Sequence, residues 1–224
     1  ETKSVHIGTC IYCGSTQKPL TDEHAVPYGL SGRWVLNKAS CLACQNIIGK
    51  FERDVLRNIM VSARASVKTK TRHKHPKKIP IKIIRNGMTS IENVSIEELG
   101  GVLTLLEYKS PAFIDKRPYT KGIDVVGACL VSNNKDAFKT LSKRLGASSP
   151  SFTVDYKEQN FERLICKIAY AMSVYKFGLE VFERVFVLPS ILNQTDDVGM
   201  WLGSLPPCKG NTDIEVIYNI NNFN

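Results

Sequence analysis

The sequence predicts an α+β protein in which a small, metal-stapled unit at the N-terminus is followed by a larger mixed domain. Three observations carry that prediction. Two Cys-x-x-Cys pairs, CIYC at residues 10–13 and CLAC at residues 41–44, stand far enough apart to hold a strand, a loop and a second strand between them. Behind the second pair, NIIGKFERDVLRNIMVSA repeats Ile47, Ile48, Phe51, Val55, Ile59 and Met60 at helical spacing, which gives one apolar face. Beyond residue 80, apolar runs broken by turn residues are mixed with a long helical repeat.

The N-terminal unit turns on its cysteines. Seven in the whole chain, an odd number, argue against a disulfide framework. Two residues between cysteines let both thiolates of a pair reach one ion, and two pairs complete a tetrahedral sulfur site of the kind Zn2+ prefers. The expected ligands are Cys10, Cys13, Cys41 and Cys44. A structural zinc ion would hold together a unit too small to fold by apolar burial alone. Cys129, Cys166 and Cys208 read as packing residues.

Composition limits the function classes. At 43% apolar and 23% charged, the 224 residues are those of an ordinary globular protein. No apolar run is long enough to cross a bilayer, and ETKSVHIGTC lacks the apolar core of a signal peptide, so the expectation is a cytoplasmic protein with no membrane partner. The net charge of +9 favours a polyanion, nucleic acid ahead of an anionic membrane. The charge is concentrated: no acid lies between Asp54 and Glu92, and KTKTRHKHPKK spans residues 68 to 78. Lys68, Lys70, Arg72, Lys74, Lys77 and Lys78 are the expected phosphate contacts on an exposed crossing.

Between the cysteine pairs lies TDEHAVPYGL, residues 21 to 30. An imidazole near neutral pKa can take a proton from water, and His24 stands directly behind acids with a loop-fixing proline after it. A carboxylate and an amide oxygen can hold a hard divalent cation, and the helix start supplies Gln45 and Asn46. Water attack beside a cation is the chemistry of phosphodiester hydrolysis.

The stretches CIYC, DEHAVPYGLSGRWVL, NKASCLAC and QNIIGKFE, within residues 10 to 52, resemble the HNH, or ββα-metal, endonucleases that carry a Cys-x-x-Cys pair. The resemblance implies a DNA endonuclease with structural Zn2+ and catalytic Mg2+ or Mn2+, double-stranded DNA as substrate, and products with 5′-phosphate and 3′-hydroxyl ends. It makes His24 the general base and Glu23 a holder of the metal or the loop. It gives Asn37 the part of the asparagine that orients the histidine loop. The position after the last cysteine usually bears His or Asn and ligates the metal; here it is Gln45, with Asn46 one place later. Asn46 is the expected ligand if the first helical turn is shifted. The chain also reads Ser31-Gly32 where Gly-Gly is common. Two alternatives stand beside this reading: a zinc-containing nucleic-acid-binding module without catalysis, and a nuclease effector of a phage-defence system. A protein partner or self-association is left open.

The expected organisation is residues 1–66 as the nuclease unit, 67–79 as a basic connector and 80–224 as an α+β domain for substrate or partner binding. In that domain IPIKIIRNGMTSIENVSI reads as a hairpin turning at Asn86-Gly87, and Ser95 to Glu98 as a capping box. GIDVVGACLV reads as a buried strand, and DAFKTLSKRLGA as a helix capped by Asn133 or Asn134 and ending near Gly146. SFTVDYK reads as a strand. FERLICKIAYAMSVYKFG is the strongest helix, with Phe161, Leu164, Ile165, Ile168, Met172 and Tyr175 expected inward. LEVFERVFVLPSIL reads as a second helix and TDIEVIYNI as a final strand.

Overall fold

The computed structural model describes residues 2–17, 19–118, 121–134, 136–146, 149–151, 156–157, 159–204 and 217–218. In chain order the elements are β1 (Lys3–His6), β2 (Leu20–His24), β3 (Trp34–Cys41), α1 (Leu42–Arg57), α2 (Val61–Ser66), β4 (Lys78–Arg85), β5 (Met88–Ser95) and α3 (Ile96–Leu99). They continue with β6 (Val102–Tyr108), β7 (Val125–Ser132), α4 (Ala137–Leu145), β8 (Ser149–Ser151), α5 (Asn160–Phe177), α6 (Leu188–Ile191), α7 (Val198–Trp201) and β9 (Ile217–Tyr218). Among the described residues, no helix is long and apolar enough to cross a membrane.

The chain forms two compact units whose limits differ from the expected boundaries at 66 and 80. The first combines residues 1–55, 108–124 and 157–205; the second combines 56–107, 125–156 and 206–224. The difference has a physical cause. The long helix α5, expected in the C-terminal domain, carries polar side chains whose partners lie in the N-terminal segment.

In the first unit the sheet order is β1-β3-β2, with β1 parallel and β2 antiparallel to β3. The two strands expected between the cysteine pairs are β2 and β3. Strand β1 is not legible in the residue pattern, because KSVH is exposed along its whole length and shows no alternation. Helix α1 follows β3 without an intervening residue and buries Cys44, Ile48, Phe51 and Val55, in line with the expected stripe. The helical repeat that runs through Met60 in the sequence is broken there and resumes as α2.

Helix α5 buries a different face from the one expected. Phe161 and Leu164 are buried as the pattern requires, but Ile165, Ile168, Met172 and Tyr175 are only half-buried. The most enclosed positions include Glu162, Arg163 and Lys167. Each has partners in the same unit. Tyr108 Oη donates to Glu162 Oε1 at 2.6 Å, and Arg163 donates from Nε to the Ser190 carbonyl at 2.8 Å and from Nη2 to the Thr195 carbonyl at 3.0 Å. Satisfied polar groups can be buried, and an apolar pattern cannot anticipate it. The second helix expected at LEVFERVFVLPSIL shrinks to α6, whose first turn contains Pro189; proline favours a helix start and cannot continue one.

In the second unit β5-β4-β8 form one sheet and β6-β7-β9 another. The β4–β5 hairpin turns at Asn86 (φ 48°) and Gly87 (φ 76°), with Arg85 opposite Met88, as the Asn-Gly pair requires. Ile81 and Ile83 pack with Val94, Leu99, Val102, Leu141 and Leu145 into the core of this unit. Each such side chain contributes about 1.5–3 kcal/mol. Ser95 caps α3 by accepting from the Glu98 N–H at 3.1 Å, and Gly146 ends α4 in the left-handed conformation. The cap of α4 is Asp136, not Asn133 or Asn134. Asn133 is used elsewhere: it accepts from the Gly101 N–H at 2.7 Å and donates to Ser66 Oγ at 3.0 Å. Strand β7 forms where expected, though Val126 is exposed. Most of SFTVDYK and TDIEVIYNI, and Cys208, lie outside the described residues.

Candidate functional site

The four cysteines of the two pairs converge. Their Sγ atoms all lie within 4.8 Å of one another, and Cys13 and Cys41 are 3.7 Å apart. Tetrahedral zinc with Zn–S of about 2.3 Å places its sulfurs about 3.8 Å apart, so the cluster fits that ion. The backbone prepares the first pair: Gly14 N–H donates to the Cys10 carbonyl and Cys10 N–H to the Ser15 carbonyl, both at 2.8 Å. The second pair straddles the junction of β3 and α1. Burial works against a thiolate at Cys41, but hydrogen bonds from the Cys44 N–H and from the neighbouring thiols bring its pKa down to about 7. The site can therefore hold a structural metal ion. Cys129 and Cys166 are buried and are not among the clustered cysteines, as packing residues should be.

Strand β2 carries TDEH, and alternation sends its side chains to opposite faces. Asp22 is exposed and His24 half-buried, whereas Glu23 is buried on the other face. Three residues of β3, Asn37 to Ala39, oppose Asp22 alone, because the register shifts between Thr21 and Glu23. Lys38 accommodates this bulge with φ of 54° and donates its N–H to Asp22 Oδ1 at 3.0 Å. That backbone hydrogen bond, the largest cause, lowers the Asp22 pKa against the opposing effect of burial, helped by a side-chain hydrogen bond from Asn37 and by the nearby Lys38 and His24. Asn37 is thus placed beside the acid that shares a strand face with His24. The His24 ring meets Tyr28 edge-on at 5.8 Å.

Glu23 is placed differently from its expected role as a cation ligand. Its Oε1 lies 2.5 Å from Nζ of Lys167 on α5, and the same Nζ is 3.0 Å from Oε1 of Glu52 on α1. Lys167 also donates to the His24 carbonyl oxygen at 2.5 Å. Burial raises the Glu23 pKa, while the Lys167 ammonium opposes that rise. Burial likewise works against a charged Lys167, but Glu23 and Glu52 together hold its pKa above the ordinary lysine value. Taking Lys167 away alone would leave carboxylates in the interior, a loss of about 3–5 kcal/mol. One turn further along α5, Tyr170 Oη donates to the Ile11 carbonyl in the first cysteine pair at 2.6 Å. The same helix therefore fastens both the metal knuckle and the end of β2. A lysine inside an apolar helical repeat reads as a solvent-facing residue, so the sequence holds no signal for this role.

The helix amides are both exposed. Helix α1 starts at Leu42 with no shifted turn, which leaves Asn46 about 100° round from Gln45. Gln45 is seven residues before Glu52 and lies on its stripe; Asn46 does not. The expected trio of Glu23, Gln45 and Asn46 therefore does not fit a divalent cation as a set, since its carboxylate is already matched by an ammonium.

The loop between β2 and β3 explains the Ser31-Gly32 departure. Ser31 sits in the left-handed region with φ of 61°, where glycine is at ease. A Cβ on Gly32 would lie 1.8 Å from the Val26 carbonyl oxygen. Gly32→Ala is expected to destabilise the first unit by about 1–3 kcal/mol, and Ser31→Gly to leave it unchanged or improve it by up to about 1 kcal/mol. Denaturant midpoints of the two variants against the wild type check this.

No protein-family model matches the chain, and no curated protein or solved structure matches it significantly.

Proposed function

We propose that this protein is an endonuclease of the ββα-metal kind that hydrolyses DNA phosphodiester bonds with His24 as general base. The observation that carries the reading is the continuous order β2, loop, β3, α1, fastened by the four-cysteine cluster, with His24 at the end of β2 beside the exposed Asp22. In that reading the His24 imidazole takes a proton from water, the water oxygen attacks phosphorus, the bond to the 3′ oxygen breaks, and that oxygen takes a proton from solvent to leave as the 3′-hydroxyl. A divalent cation would neutralise the scissile phosphate, and Asp22 is the carboxylate on the histidine face to meet it. The test is cleavage of plasmid DNA by the purified, zinc-loaded protein with Mg2+ or Mn2+. Absence of cleavage with either ion would end the proposal.

The second reading, a zinc-containing nucleic-acid-binding module without catalysis, is favoured by one observation: Glu23 is paired with Lys167 and is not offered to a cation. DNA binding without cleavage would select it.

Both readings give the basic segment the same work. Residues 70 to 74, Lys77 and Lys78 are exposed, and the segment lies in the second unit. Replacing Lys70, Arg72, Lys74, Lys77 and Lys78 with Gln should weaken DNA binding for every sequence. It should also flatten the slope of log K against log salt by about 0.9 for each phosphate that is no longer neutralised. An unchanged slope, measured by fluorescence anisotropy, would make the segment a solvated face.

A further inference from the structure

Lys167 has no exposed surface, and a buried lysine is a weak source of stability: apolar side chains of similar volume often serve as well or better. What the ammonium provides instead is geometry. Its Nζ donates to the His24 carbonyl oxygen at 2.5 Å and forms ion pairs with Oε1 of Glu23 and Oε1 of Glu52 at 2.5 and 3.0 Å. Two of these acceptors belong to the last two residues of β2, so the backbone of His24 and the side chain preceding it are held by one atom. The third is on α1, which itself begins inside the cysteine cluster. Beyond His24 the Ala25 N–H still donates to the Trp34 carbonyl of β3 at 3.0 Å, and the chain then leaves for Pro27 and the loop, so the fastening falls close to the end of the sheet.

We propose that Lys167 is a positioning residue for His24: its ammonium, presented by a helix distant in sequence, fixes the end of β2 so that the imidazole is presented in one orientation on the opposite face. The catalytic consequence rests on the nuclease reading; the orientation itself does not. Glu23 then serves as an internal partner of Lys167, and its charge is dispensable so long as an oxygen remains to accept the proton.

The test follows the imidazole directly. The chain has four histidines, so ring carbon–proton signals of histidine-labelled protein can be assigned by their loss in His24→Ala. Lys167→Met alone strands two carboxylates, so it is combined with Glu23→Gln and Glu52→Gln, which removes all three charges. In this triple variant the His24 signal should broaden or move to the position of the exposed histidines, while His6, His73 and His75 stay put and zinc content is unchanged. In Glu23→Gln with Lys167 retained, the His24 signal should stay narrow. In DNA cleavage the triple variant should lose at least about tenfold in kcat with KM within about twofold, and Glu23→Gln should stay within about threefold of wild type. Should the triple variant lose zinc or helicity, Lys167→Arg decides: its planar fork cannot reproduce the contacts that a single ammonium nitrogen makes with Glu23, Glu52 and the His24 carbonyl, so the His24 signal should shift although the charge remains. An unmoved His24 signal in whichever of these two variants folds overturns the proposal, as does a kcat loss in Glu23→Gln as large as in the triple variant. If the wild type cuts no DNA, the nuclease reading falls by itself and the ring signals still decide the role of Lys167.

Discussion

His24→Ala should lower the rate of DNA cleavage by about 10²–10⁴-fold while leaving zinc content, melting and DNA affinity close to wild type. The separation follows from where the residue sits. Its backbone does the structural work: the carbonyl accepts from Lys167, and the residue pairs with Val35 across the sheet. Alanine keeps both. The side chain is half-buried, and its edge-on approach to the Tyr28 ring is worth about 0.5–1.5 kcal/mol, so the fold loses little. The variant should lose the proton acceptor and little else. Plasmid nicking with Mg2+ or Mn2+, run beside anisotropy on the same DNA, checks the two halves together. Cleavage by the variant at the wild-type rate would remove His24 from the chemistry and with it the proposed mechanism.

The two acids of the TDEH stretch part company on the strand. Asp22 shares a strand face with the half-buried His24, and Glu23 points from the other face to Lys167. The residue order alone puts the weight on Glu23, the immediate neighbour. Strand alternation, which the sequence does carry, puts Asp22 and His24 on one face once β2 runs through His24. What the residue order hides is the bulge at Asn37 to Ala39, which brings the Lys38 N–H to Asp22; a left-handed lysine leaves no mark in a residue pattern.

What is legible in the chain follows local rules. Two Cys-x-x-Cys pairs, an Asn-Gly turn, a serine cap and an apolar helical stripe each act within a few residues, and each is found where the pattern puts it. What is not legible depends on partners distant in sequence. Apolar periodicity assigns the buried face of α5 to Ile165, Ile168 and Met172, whereas the helix encloses Lys167 and Arg163, whose acceptors lie 143 and 27 residues away. The division into compact units is hidden for the same reason: a helix that completes an N-terminal unit from residue 160 onward cannot be assigned by reading along the chain. The expected capping of α4 fails because Asn133, a good local cap, has a better use in binding Gly101 and Ser66.

The other large effect expected is on stability. Cys10→Ser or Cys44→Ser should abolish stoichiometric zinc and unfold the first unit at temperatures where the wild type is intact. Both residues are buried, at 0% and 4% exposure, so a replacement leaves a hydroxyl inside and three thiols without a fourth ligand. Structural zinc contributes about 10–16 kcal/mol in small zinc peptides, comparable to the whole stability of a typical domain at about 5–15 kcal/mol. The apolar stripe of α1 and the α5 contacts offset part of that loss, but they depend on the cluster: Tyr170 reaches the Ile11 carbonyl inside the first pair, and α1 begins within the second. Both tryptophans, Trp34 and Trp201, lie in the first unit, so intrinsic fluorescence reports its unfolding. Hydrogen exchange at the β4–β5 hairpin reports the second unit, which has its own apolar core around Ile81, Ile83 and Leu141. Chelation of wild-type protein should therefore change tryptophan emission while the hairpin amides stay protected, and added zinc should restore the emission. Carefully purified wild-type protein that holds no zinc yet keeps the same emission through chelation would mean that the four thiols pack without an ion, and the unit would then owe its stability to α5.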